Sequence, residues 1–212
     1  MTEHRSHRTL ASFDDAVGFH GHACPGLALG YRVAVAAMHR LDVSRAEDED
    51  LVAVVENDAC SVDAVQFVCG CTFGKGNLVF RDHGKHVYTF FNRATGKGLR
   101  IYAEPPKMEE GARVVGRGSG EDVTTPRPVT PAPPTFLPDR IEWLLSLPED
   151  DLLSITEVQE PPPSKARIHA SSRCSLCGER MMESRARNGA GEPLCIPCAQ
   201  NRAGGLPPAA RL

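Results

Sequence analysis

The most regular stretch of apolar positions runs from Leu27 to Leu41, LALGYRVAVAAMHRL. Its Ala, Leu and Val content predicts a largely buried helix, and Gly30, Ala34 and Ala37 leave room for close packing. Pro25-Gly26 stands before it, so the helix begins directly after Cys24. DLVAVVEN, residues 50–57, is a continuous β-branched run of the kind found in interior strands. It passes into Asn57-Asp58-Ala59-Cys60, which sets Cys60 at a strand end, where sheet-based sites are usually assembled. A short helix is predicted from Val62. LVF (78–80) and HVYTFF (86–91), separated by Asp82-His83-Gly84-Lys85, predict a hairpin, and LRIYAE (99–104) a further strand. Helices interspersed with such strands predict a mixed-sheet α+β or α/β domain.

Beyond residue 104 the pattern changes. Residues 105–138 hold eight prolines and three glycines and predict a long loop without helix or interior strand. A helical patch follows at Asp139–Leu147, with Ile141, Leu144 and Leu145 at i, i+3 and i+4 and Trp143 beside them. A short strand is expected at Leu152–Val158, and Pro161-Pro162-Pro163 reads as a stiff linker. Four segments result: an α+β core at 1–104, the loop at 105–138, a helix and strand docking on the core at 139–163, and a C-terminal module at 164–212. The paired CxxC units are the only internal repeat.

Bulk composition narrows the function classes. Hydrophobic residues are 41% and charged residues 24% of the 212 positions, near the globular average. The net charge of −3 fits neither a nucleic-acid-coating protein nor an acidic tail protein. From Ser164 onward there are eight Lys/Arg against three Glu, so an anionic partner for that end stays open, weakly supported. No apolar run approaches the roughly 18–20 residues a bilayer crossing needs, and the N-terminal segment lacks the apolar stretch of a secretory signal. Eight cysteines in that context predict a reducing, cytoplasmic setting where thiols bind metal or do chemistry.

The strongest chemical signal is at the C-terminus. Cys174-x2-Cys177 and Cys195-x2-Cys198 stand 17 residues apart, the spacing of a tetrahedral structural zinc site. Gly178 permits the first turn, and CIPCAQNRA predicts a short helix stopped by Gly204-Gly205. A module this small depends on the metal for most of its folding free energy.

The second signal is FHGHACPG, residues 19–26. His20, His22 and Cys24 come together in either an extended chain or a turn, and Cys24 precedes a helix N-terminus, where a thiolate is favoured. With Cys60, and with Cys69 and Cys71 further on, the constellation points to a metal site or a reactive thiol. The plain alternative is turn hydrogen bonding by the histidines and burial of the cysteines. GCTFGKGNL resembles a phosphate loop, but Gly76 stands where Ser or Thr should bind magnesium, which leaves at most an anion-binding role for Lys75.

FHGHACPGLALG, VENDACSVDAVQ, GCTFGKGNL and DHGKHVYTFFNRATGKGLR occur in an order and approximate spacing that resemble the FmdE family, named for a component of molybdenum or tungsten formylmethanofuran dehydrogenase. The resemblance covers roughly residues 13–104. It implies a thioredoxin-like α+β core, a mixed sheet flanked by helices, followed by a treble-clef zinc finger. It also implies a core site able to hold a second metal, zinc being the first choice, built from His20, His22 and Cys24 with Cys60 as partner. Cys71 and Lys75 match the family's GCTxGK element and are expected to line that site as cofactor-binding residues; Cys24, Cys60 and Lys75 are the candidates for any catalysis. The finger itself resembles the DksA/TraR type, although no heptad-bearing helix pair accompanies it, which argues against transcriptional control. Three functions follow as expectations: a metal-binding accessory or maturation protein for a molybdenum or tungsten oxidoreductase, an independent zinc-dependent enzyme, or a thiol redox protein. A homodimer is expected.

Overall fold

A computed structural model describes residues 10–104, 137–189 and 191–203. The proline-rich loop lies outside the described residues except for its last two positions, and so does the Gly204-Gly205 helix stop. The chain divides into two compact units, Met1–Lys165 and Ala166–Leu212.

The first unit opens with α1, Phe13–His20. Ser12 caps it through a reciprocal box with Asp15, which satisfies two N-terminal N–H groups. Gly21, at φ 96°, ends it in the left-handed region that glycine adopts without strain. Helix α2, Pro25–Leu41, starts on a proline whose missing N–H would have had no partner there. β1 (Leu51–Val55) is buried along its whole length. It is followed by α3 (Ser61–Cys69), β2 (Leu78–Phe80), β3 (Val87–Asn92) and β4 (Gly98–Ala103). Beyond the loop come α4 (Leu137–Ser146), the short α5 (Glu149–Leu152) and β5 (Leu153–Val158). The result is a mixed α+β fold whose five strands take the order β2-β1-β3-β4-β5, with only the β1–β2 pair parallel.

That order corrects the hairpin expected between 78–80 and 86–91. β2 returns through α3 to lie parallel to β1, a strand–helix–strand crossover, so β1 separates β2 from β3. The Asp82–Lys85 segment instead crosses the end of β1, where Arg81 N–H donates to Val55 O and Lys85 N–H to Glu56 O. The true hairpin is β3–β4, closed by Asn92, whose Oδ1 accepts from the N–H groups of Ala94 and Thr95.

One face of the sheet carries Ala53, Val55, Tyr88, Phe90, Leu99 and Ile101 into a single apolar cluster with buried residues of α2, α3 and α4. The opposite face holds a smaller cluster of Val52, Val54 and Phe91. Three close approaches set α2 against α3. A Cβ on Gly30 would fall 2.1 Å from the Ser61 carbonyl oxygen, so only glycine fits. A Cβ on Gly26 would lie 3.2 Å from Cys60 Cβ, and Cys69 Sγ sits 4.0 Å from the Ala34 carbonyl oxygen. The i, i+4, i+8 row of small residues on α2 thereby brings the N-terminus of α3 against the start of α2. Arg32 of α2 fixes α4 by donating to the carbonyls of Leu144, Leu145 and Leu147, at a helix end whose last turn leaves carbonyls without intrahelical donors.

The second unit has two short hairpins, β6–β7 (Ser171–Arg173, Arg180–Met182) and β8–β9 (Arg187–Gly189, Glu192–Leu194), then α6, Ile196–Ala203. Among the described residues no helix is long and apolar enough to cross a membrane.

Candidate metal centres

In the second unit, Cys174, Cys177, Cys195 and Cys198 offer sulfur atoms that all lie within 4.8 Å of one another, a set that can hold a metal ion. The first two flank the turn between β6 and β7, where Gly178 (φ 75°) donates its N–H to Cys174 O at 2.9 Å. Cys195 precedes α6 and Cys198 lies in its first turn. Backbone N–H groups of Cys177 and Cys195 directed at Cys174 lower its thiol to about 6. Cys198, surrounded by the other sulfurs, Cys195 first, is pushed up to about 12. Four converging thiols with such opposed demands suit one divalent cation better than four protons.

In the first unit, the FHGHACPG segment is neither extended strand nor simple loop. It is the corner between α1 and α2. His20 is the last residue of α1, Gly21 its left-handed cap, and Cys24 the N-cap of α2, with Sγ accepting from Leu27 N–H at 3.3 Å. The corner gathers donor atoms of His20, His22 and Cys24 within 4.8 Å. The two imidazole rings lie 4.6 Å apart at 34°, and His20 Nε2 is 3.8 Å from Cys24 Sγ.

α3 supplies what the corner lacks. Asp63 Oδ2 is 2.7 Å from His20 Nδ1, and the His20 side chain is only 10% exposed. A carboxylate at Nδ1 holds the proton there and leaves the Nε2 lone pair directed toward Cys24, the arrangement that orients metal-ligating histidines. Asp63 is not among the residues expected from sequence to build the site. The one signal for it is its position three residues after Cys60, which puts both on one face of α3.

Cys60 stands at the N-cap of α3, exposed. A Cβ on Gly26 would lie 3.9 Å from the sulfurs of both Cys24 and Cys60, so both border the same small volume. Desolvation, then the adjacent Cys24 sulfur, raises the Cys60 thiol. Cys60 is thus a neighbour of Cys24 but falls outside the three-donor group. Its loop is held by Asn57, which donates to Lys85 O and accepts from Ala59 N–H and Ser61 Oγ, while Tyr88 Oη donates to Ser61 Oγ at 2.6 Å.

Cys71 and Lys75 are not brought to this corner. Cys71 is buried, its Sγ 3.5 Å from the carbonyl of Leu51, and burial pushes its thiol up to about 12. Lys75 Nζ donates to the carbonyls of Ala46, Glu47 and Asp48. These contacts gather at the start of β1, whereas Cys60 follows its end, and five residues at about 3.3 Å each separate the two. Cys69 is buried against α2.

A small mixed sheet packed under helices, with a four-cysteine module after it and a His/Cys corner at the helix ends, defines the class. The chain matches the profile described as "FmdE, Molybdenum formylmethanofuran dehydrogenase operon" over residues 19–154 and belongs to the FmdE family. It is similar to an FmdE-like protein of the tungsten formylmethanofuran dehydrogenase type from Syntrophus aciditrophicus, with a TM-score of 0.53 and 23% identity, covering 94% of this chain and 96% of that one. That likeness concerns the fold. It is also 33% identical over 196 residues to a probable S-adenosyl-L-methionine-binding protein of Archaeoglobus fulgidus. The match takes in 85% of this chain but spans only 50% of that relative's length.

Proposed function

We propose that this protein is a metal-binding accessory or maturation factor for a molybdenum- or tungsten-dependent oxidoreductase. In this reading the α1–α2 corner holds zinc through His20, His22 and Cys24, and the finger holds a second zinc and docks the partner. The observation that carries it is the Asp63–His20 pair at 2.7 Å, which directs one lone pair into a group of three donors. The family's association with a formylmethanofuran dehydrogenase operon supports the kind of partner. The same reading has the protein work in the cytoplasm as a homodimer. Zinc in a three-donor site acts as a Lewis acid toward a fourth ligand. The chain's own part is to fix the tautomer of His20 through Asp63 and to present Cys24 from a helix N-cap.

The test is anaerobic affinity purification of the full chain from cells that make it. Recovery of a stoichiometric large protein containing molybdenum or tungsten is expected. Recovery of the chain alone, from cells in which such an enzyme is active, would overturn the accessory role. A second reading, an independent zinc-dependent enzyme, is favoured by the same three-donor geometry, because a catalytic zinc keeps one position open.

A further inference from the structure

α3 presents one face to the end of α1, and that face carries Cys60, Asp63 and Phe67 at i, i+3 and i+7. Two contacts tie it to consecutive residues of α1. Asp63 meets His20 at 2.7 Å, and one turn further Phe67 meets Phe19 with ring centroids 5.4 Å apart and planes 28° from parallel. Phe67 packs against the main apolar cluster, while Phe19 lies over it and is 53% exposed. Full burial of a phenylalanine contributes about 1.5–3 kcal/mol, so a ring left half in water forgoes much of that. Phe19 presents a flat apolar surface about one helical turn, roughly 5–6 Å, from the donor cluster. His22, also exposed, carries the aromatic surface around the other side of His20.

We propose that Phe19, backed by Phe67, is the binding platform for the ring of a planar organic ligand whose soft donor group, a thiolate or its equivalent, reaches the His20/His22/Cys24 cluster. The inference rests on the metal reading of that cluster and names the class of molecule the site takes. Two features select it over an aliphatic ligand. A near-parallel, half-exposed aromatic pair gains from a third stacked ring what an aliphatic group does not supply, and a histidine–cysteine donor set favours a soft donor over a carboxylate. The platform is rigid as well, since Phe67 is anchored in the core and Phe19 sits between a capped helix and its left-handed stop.

Benzyl mercaptan and cyclohexylmethanethiol test this directly, because they match in length and thiol acidity and differ in having a flat or a puckered ring. The full chain is loaded with cobalt(II), and each thiol is titrated while the visible absorption is followed. The four-thiolate finger is coordinatively closed, so changes on titration report the core site. Benzyl mercaptan is expected to bind at least about fivefold more tightly. Phe19→Leu and Phe67→Leu, which keep apolar bulk, should each remove most of that preference while cobalt content and the affinity for cyclohexylmethanethiol stay unchanged. Equal affinities in the wild type, or a preference that survives Phe19→Leu, would overturn the platform and leave the metal site standing. Cobalt bands that do not change on His20→Ala would overturn the metal reading and the platform together.

Discussion

The two units solve the same problem, bringing soft ligands together, by opposite means. In the finger, the apolar cluster is Cys174, Leu194 and Cys198, with Cys177, Met181, Cys195 and Ala199 around it, so the metal ligands are themselves most of the core. In the first unit, the donors sit at helix ends on top of an apolar cluster that would exist without them. The finger's structure therefore depends on its metal, whereas the core site depends on its scaffold. One is folded by binding, and the other binds because it is folded.

The sharpest way to break this comparison is to remove the metal. Chelation, or Cys174→Ala, should unfold the finger outright, since structural zinc contributes on the order of 10–16 kcal/mol to such modules. Amide exchange in 166–203 should rise to unfolded rates while residues 51–55 and 87–103 keep their protection. Protection lost equally in both units would show that the scaffold also needs metal.

The scaffold has its own weak point. Gly30→Ala drives a methyl into the Ser61 carbonyl and must part α2 from α3, a change expected to cost about 3 kcal/mol despite alanine's better helix propensity. Urea unfolding should show the loss in the first unit, accompanied by weaker core metal binding and no change in the finger. Next in size is Asp63→Asn. It should lower core metal affinity by about 10–100-fold, read by competition with a chromophoric chelator, and barely move the unfolding midpoint.

The smallest effect is alkaline. Burial raises the thiols of Cys69 and Cys71, the latter to about 12, above an ordinary value of 9. The unfolded chain therefore loses these protons first as pH rises. Core stability should be fully present below pH 9 and fall by about 1.4 kcal/mol per unit for each thiol as pH climbs toward 12. Cys71→Ala should flatten the slope, and a stability curve level from pH 8 to 11 would contradict the burial of these groups.

Much of the molecule is legible in local pattern. The buried helix after Cys24, the apolar strand at 51–55 and the CxxC spacing depend on residues close in sequence, and each appears where the pattern puts it. What the pattern lacks is pairing at a distance. Leu78–Phe80 finds its partner across the α3 crossover, and no local feature separates that from the hairpin the Asp82–Lys85 turn suggests. Helix α1 is not among the elements expected from apolar periodicity, although Ser12-Phe13-Asp14-Asp15 spells its capping box, because its eight residues bury only Ala16. Asp63 lies 43 residues from the His20 it orients. Lys75 and Cys71 have the look of site residues in sequence, yet their polar atoms are taken up by carbonyls at the other end of β1.

The central claim is that a second, scaffold-built metal site exists at the α1–α2 corner. Elemental analysis of the anaerobically purified chain, beside a His20→Ala/Cys24→Ala variant shown by circular dichroism to be folded, tests it most directly. Two metal ions per chain in the parent and one in the variant is the predicted result. One per chain in both would mean that only the finger is loaded, and would contradict the account.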